Sequence, residues 1–125
     1  MTVNNDSQKQ VERFPFELMD QFLFFQEDNS DQQIRGVIHF AGVLDRICIE
    51  KAIMQSVRMI PVLGCRFVEN RKRSFWERLP LKERDTQIVT FVDTDNLNDE
   101  KTKFLSVKTD ESKGPQVRVR QIRHA

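Results

Sequence analysis

The sequence predicts an α/β protein, an α+β sandwich in which helices pack on one face of a mixed β-sheet. Two segments, residues 45–60 and 96–108, repeat apolar residues every three or four positions, which is typical of amphipathic helices. Short segments rich in β-branched and aromatic residues flank them. The resulting order β-α-β-β-β-α-β favours a sandwich with a mixed sheet.

Length and composition exclude several classes of protein. The chain has 125 residues, of which 38% are hydrophobic, so one domain can bury a core without disulfide or metal staples. Its 20 basic and 19 acidic residues leave a net charge of +1, which gives no overall field for nucleic acid or an anionic membrane. The polar first ten residues resemble no signal peptide, and no apolar run approaches a membrane span. We therefore expect a cytoplasmic protein with no nucleic-acid and no membrane partner.

The N-terminal region divides into a predicted tail and the start of the domain. Residues 1–13 are predicted to be disordered because most of them are polar, and residues 14–125 form the domain. Within residues 17–27, Leu18, Phe22 and Phe25 lie at helical spacing, which predicts a short helix. Core packing is the favoured interpretation of this aromatic stripe, ahead of a ligand-pocket wall.

The next segment, residues 34–42, alternates in polarity. Ile34, Ile38 and Phe40 share one side, which predicts a strand with one buried face. His39 lies on the other side and is interpreted as structural or solvated.

The clearest helix follows Asp45, which stands where an N-cap residue would accept backbone amides. Ile49, Ile53 and Val57 are among the apolar residues that predict one buried face, and Pro61 ends the helix.

The rest of the chain supplies strands, a helix and turn signals. A turn rich in basic residues connects two apolar segments, which predicts an antiparallel hairpin. Gly114-Pro115 breaks the chain before the last strand. The predicted elements are strands at 62–68, 74–79, 87–92 and 116–122, and a helix at 96–108.

The cysteine, histidine and glycine residues of the sequence are not spaced as a catalytic, metal or phosphate-binding site requires. Cys48 and Cys65 lie in apolar runs and are interpreted as buried thiols. With His39 and His124 far apart, neither a zinc site nor a Cys-His nucleophile has support. The scattered glycines form no phosphate loop. Alternating arginines on the last strand predict a polar sheet face that is open to water or covered by something absent from this chain.

Three short segments resemble one family, the condensation domains of nonribosomal peptide synthetases and the related coenzyme A- or carrier-protein-dependent acyltransferases. Residues 38–45, I-H-F-A-G-V-L-D, resemble the first strand and the G-x-L-D entry to the next helix. Residues 59–67, M-I-P-V-L-G-C-R-F, occupy the place of the family's R-H-x-x-L-R-T-x-F signature, often with proline third. Residues 114–120, G-P-Q-V-R-V-R, resemble the family's G-P-L-L-R-V-R strand. The matching positions are Asp45, Pro61, Leu63, Phe67, Gly114, Pro115 and Arg118.

The departures from the family pattern concern polar contacts. Met59 and Ile60 replace the signature's Arg-His pair, and Gly64 and Cys65 replace its Arg-Thr pair. Gln116 stands where the family has leucine. The resemblance therefore does not extend to the contacts that those arginine, histidine and threonine residues make in relatives.

The resemblance implies half of a chloramphenicol acetyltransferase-like fold, in which two lobes enclose a reaction tunnel. The family's catalytic motif, H-H-x-x-x-D-G, follows the strand after the Gly-Pro strand, and this sequence reaches Ala125 before that position. His124 lacks the Asp-Gly that should follow and is not assigned a catalytic role. The resemblance thus implies an N-terminal lobe truncated before the motif, without catalytic, cofactor or metal residues and inactive alone. The intact parent would transfer an acyl group from a phosphopantetheine or coenzyme A thioester to an amine or hydroxyl.

Two alternatives stay open. One is a self-contained, non-catalytic binding or dimerisation module, and the other is an unrelated small α/β domain. The expected partners are the missing C-terminal lobe or a second copy, with a carrier protein as a further partner of the parent. In either leading case we expect another surface to cover the bare sheet edge and apolar face.

Overall fold

A computed structural model describes residues 11–17, 19–20, 33–80, 82 and 88–125 of the chain. Most of the tail predicted over 1–13 lies outside this part, and so does most of the helix predicted over 17–27. Met19 and Asp20, which are described, are helical.

The described residues form two α-helices, one 3-10 helix and five strands, which confirms a mixed α and β protein. The strands are β1 (Arg13–Pro15), β2 (Cys65–Val68), β3 (Phe75–Arg78), β4 (Val89–Thr94) and β5 (Val119–His124). The helices are α1 (Arg46–Met59) and α2 (Leu97–Ser106), and the 3-10 helix is Pro61–Gly64. The predicted hairpin is confirmed, but the strand predicted from residue 62 begins at Cys65, after the 3-10 turn that Pro61 starts.

The first sheet is antiparallel, in the order β1-β3-β2. One of its faces holds an aromatic cluster, in which the ring of Phe67 lies 4.6 Å from Phe16 and 5.7 Å from Trp76, measured between centroids. Phe16 and Phe67 are each 5% exposed, and Cys65 is fully buried, as expected for this thiol. The core of the described chain is therefore centred on this sheet.

The second sheet contains β4 and β5, which pair in parallel from Val89 opposite Val119 to Thr94 opposite His124. A parallel pair needs a crossover, and α2 lies in the connection. Asn96 caps α2 by accepting from the Asp99 amide at 3.0 Å. The single mixed sheet expected from the sequence is thus divided, in the described residues, into two small sheets.

The strand predicted over residues 34–42 is wrong. Residues 33–40 have no regular secondary structure, and residues 34–40 are exposed on both sides, including the side predicted to be buried. Ile34 is 100% exposed, Ile38 78% and Phe40 58%. Alternation favours a strand only where a neighbouring strand supplies hydrogen bonds, and no described strand pairs with this segment.

Helix α1 has its predicted bounds but packs less than predicted. Val57 is its one buried residue, whereas Ile47 and Met59 are 64% and 75% exposed. Cys48 is exposed, contrary to expectation, because it lies nine residues before Val57 and so on the opposite side of the helix. Among the described residues, no helix is long and apolar enough to cross a membrane.

Candidate functional site: a junction of two motif segments

Two segments that carry the family resemblance meet in the structure, although about fifty residues separate them. The backbone amide of Gln116 donates to the carbonyl of Leu63 at 2.9 Å, and the Phe67 amide donates to the carbonyl of Glu111 at 2.8 Å. The Gln116 side-chain amide donates to the carbonyls of Cys65 and Glu111, both at 3.0 Å. We call this contact between residues 61–67 and 111–118 the junction.

At Gly114 the backbone of residues 111–118 lies close against the backbone of Cys65. Its φ of 58° lies in the left-handed region that side chains rarely adopt. A Cβ at this position would overlap the carbonyl oxygen of Cys65 and lie 3.0 Å from its carbonyl carbon. Pro115, the next residue, is fully buried. The Gly-Pro pair therefore fixes the chain against β2, and the strand predicted from residue 116 begins only at Val119.

Arg118 leaves the junction toward α2. Its guanidinium donates to the carbonyl of Val107 at 3.0 Å and lies 5.1 Å from the ring centre of Phe104. Arg120 lies 5.0 Å from the same ring and donates through Nε to the Thr90 hydroxyl at 3.0 Å. Helix α2 of this chain therefore contacts the face of the alternating arginines, which was expected to be open to water or covered by something absent from the chain, and these arginines stabilise packing.

Asp45 lies outside the junction, as the N-cap of α1. Its carboxylate accepts from the amides of Ile47 and Cys48 at 2.8 and 3.2 Å, which confirms the predicted cap. The start of α1 is tied to the second sheet, because Gln121 donates to the carbonyl of Leu44 at 3.1 Å.

Asp93 anchors the same region and was not singled out from the sequence. Arg46 and Arg123 donate to its carboxylate at 2.6 and 3.1 Å. Arg46 also lies 5.3 Å from the ring centre of Phe91. These partners are separated by 30 residues or more, so no local spacing could have identified the cluster.

An open cavity of about 420 Å³ lies beside the junction, lined by Phe67, Glu69 and residues 108–112. The hydroxyl and amide of Ser112 donate to Asp110 at 2.6 and 3.0 Å, and the hydroxyl bond is the largest cause that lowers the pKa of this carboxyl. A general acid needs the opposite shift. The lowered pKa therefore favours the ionised form of Asp110, which lies in a turn.

The second group whose pKa is shifted is Lys103, a lysine on the surface. The hydrogen bond from Lys103 to Asp99, at 3.0 Å, raises the pKa of the lysine, and the charges of Asp99 and Glu100 act in the same direction. In the described ranges no three His, Cys, Asp or Glu side chains lie close enough to hold a metal ion. The contacts found at the junction are backbone and side-chain hydrogen bonds that hold its two segments together.

No protein-family model, curated protein or solved structure matches this chain. The resemblance to condensation-type acyltransferases therefore rests on the short motifs of the sequence.

Proposed function

We propose that this chain forms the N-terminal lobe of a condensation-type acyltransferase and is catalytically inert on its own. The supporting observation is the junction, where the P-x-L-x-x-x-F and G-P-x-V-R segments meet through backbone hydrogen bonds. In this proposal the two segments contact one another because they belong to one fold motif.

The residues of the junction suit a scaffold. Gly114 and Pro115 permit close backbone approach, Leu63 contributes a carbonyl acceptor, and Phe67 packs in the aromatic cluster. None of these groups exchanges protons near neutral pH. Acyl transfer to an amine or hydroxyl needs a base placed at the acceptor. In this proposal the larger acyltransferase supplies the base and the phosphopantetheine or coenzyme A thioester site.

Two measurements test this function. The reading frame after Ala125 is expected to encode an H-H-x-x-x-D-G motif followed by a second lobe. The 125-residue chain, incubated with short-chain acyl-coenzyme A and an amine acceptor, should release no thiol above buffer, whereas the extended protein should. Replacing the second histidine of that motif with alanine should abolish thiol release. Absence of the motif, or acyl transfer by the 125-residue chain alone, would overturn the proposal.

A second candidate function is a binding or dimerisation module, and one observation favours it. The apolar side chains of residues 34–43 are exposed beside the N-cap of α1. Isolated exposed apolar residues are ordinary on protein surfaces, but a run of them marks an interaction surface.

A further inference from the structure

We propose that Ser74 is a phosphorylation site, which an arginine-directed serine/threonine protein kinase modifies. Ser74 lies in the loop of residues 69–74 that connects β2 to β3, and we call this loop the basic loop. The inference is independent of both candidate functions, because neither of them uses this part of the surface.

The sequence of the basic loop places three cations directly before a serine. Arg71, Lys72 and Arg73 stand three, two and one residues before Ser74. Protein kinases distinguish their substrates by the pattern of charges beside the acceptor hydroxyl, and an acidic substrate groove selects an arginine three residues before it. Ser74 is the one serine of the sequence with an arginine at that position.

The three cations of the basic loop are available to an acidic partner. Their side chains are exposed, and within the described part of the chain they make no ion pair or hydrogen bond. Arg66 and Arg123, on the neighbouring strand and in the second sheet, are instead paired with Glu77 and Asp93. An unpaired basic loop on the surface offers its charge for recognition by another protein.

The acceptor hydroxyl is held weakly. Ser74 Oγ accepts from the Asn70 amide at 3.3 Å, longer than the usual range of about 2.7–3.2 Å. The Asn70 side chain closes the turn separately, since it accepts from the Lys72 amide at 3.1 Å. Ser74 is half-buried, so it turns outward when the loop enters a kinase groove, and this movement breaks one long hydrogen bond.

The transfer uses only the hydroxyl of this chain. A lone pair of Ser74 Oγ forms a bond to the γ-phosphorus of the magnesium nucleoside triphosphate that the kinase holds. The bond from this phosphorus to the bridging oxygen breaks, and its electron pair leaves with the nucleoside diphosphate. The hydroxyl proton passes to the catalytic aspartate of the kinase.

The phosphate neutralises the basic loop. One carboxylate, that of Glu69, and three cations give residues 69–74 a net charge of +2. A phosphate adds about −1.5 to −2 near neutral pH. Guanidinium groups bind phosphate oxygens through strong, often bidentate hydrogen bonds, so Arg71 and Arg73 are its expected partners.

Phosphorylation of the folded chain tests the site. Incubated with magnesium ATP and an arginine-directed kinase, the chain should incorporate one phosphate at Ser74, and Ser74→Ala should incorporate none. Arg71→Gln should slow incorporation about tenfold or more, because it removes the charge that the groove selects. Arg58→Gln, at an exposed arginine of α1, is the matched control and should leave the rate unchanged. No incorporation into the folded chain, incorporation into Ser74→Ala, or equal slowing by both arginine variants would overturn the inference.

Phosphorus NMR of the phosphorylated chain tests the contacts with the arginines. The second pKa of phosphoserine is ordinarily about 6, and guanidinium groups beside the phosphate should lower it because they favour the dianion. The Glu69 carboxylate acts in the opposite direction, and Arg73→Gln should bring the pKa back toward its ordinary value. A pKa in the folded chain equal to that in the urea-unfolded chain would contradict the pairing of the phosphate with the basic loop.

Discussion

The two sheets of this protein are held together by different forces. In the first sheet, the buried rings of Phe16 and Phe67 and the half-buried ring of Trp76 pack against one another. In the second, Arg118 and Arg120 lie on the ring of Phe104 and connect β5 to α2. The first sheet therefore depends on removing apolar surface from water, and the second depends on contacts of charged groups that are half-buried.

This difference predicts unequal stability. Burial of aromatic side chains stabilises by several kcal/mol for each residue and is little affected by salt. Ion pairs near the surface are worth about 0–1 kcal/mol and are screened by salt. The first sheet and its junction should dominate the free energy of unfolding, while the second sheet should respond to ionic strength.

The largest expected effect is that of Phe67→Ala. Removing this buried ring should lower the free energy of unfolding by about 3–5 kcal/mol. Phe104→Ala is the matched change in the second sheet region and should cost less than half as much, because Phe104 is only half-buried. Urea denaturation of both variants measures the difference. Equal losses would contradict the contrast between the two sheets.

Gly114→Ala should have the next largest effect, a loss of about 2–3 kcal/mol. The new Cβ would meet the backbone of Cys65 and require a side chain at a φ of 58°. Gly42→Ala is the control, since nothing lies within 4 Å of a Cβ there. Thermal unfolding followed by circular dichroism compares the two. If both variants melt at the same temperature as the original chain, the close backbone contact at Gly114 does not contribute to the stability of the fold.

Asp93→Asn tests whether ion pairs stabilise the second sheet, in contrast to the aromatic packing of the first. It weakens the ion pairs with Arg46 and Arg123, whose side chains are 38% and 44% exposed. We expect a loss of about 1 kcal/mol at low ionic strength that shrinks in 1 M NaCl. Urea denaturation at two salt concentrations measures it. A loss that is independent of salt would show that Asp93 acts through packing instead.

The smallest effect concerns Asp110, which is solvent-exposed. Because its pKa is lowered in the folded chain, its contribution to stability is present above the unfolded pKa and is lost as pH falls through the folded pKa. Ser112→Ala removes the hydroxyl that donates to this carboxylate and should raise its pKa toward the ordinary value. NMR titration of the Asp110 carboxyl carbon checks the shift. An unchanged pKa would assign the lowering to the backbone amides of Ser112 and Lys113 and to the charge of Lys113.

The elements fixed by local sequence were predictable. Asp45 caps α1 and Pro61 ends it through interactions within a few residues, and Asn96 begins α2 in the same way. The hairpin followed from two apolar segments around a turn. The identity of Gly114 as a special position also followed from the Gly-Pro signal.

Three features could not be predicted from the sequence, because each depends on contacts between residues that are distant along the chain. The alternation over residues 34–42 indicates strand preference but does not supply a neighbouring strand. The division into two sheets depends on β5 pairing with β4 rather than with the hairpin. Likewise, Gln116 departs from the family pattern, yet its amide makes the bonds that join the junction, which only the arrangement in space could reveal.

The parallel pairing of β4 with β5 has a consequence for synthesis of the chain on the ribosome. Val89 pairs with Val119, and at 5–20 residues per second the intervening residues take a few seconds to translate. During that interval β4, which is rich in β-branched residues, has been synthesised, but β5, the strand with which it pairs, has not. The nascent protein therefore carries β4 without β5 until β5 emerges, and slow codons between the two strands would lengthen that interval.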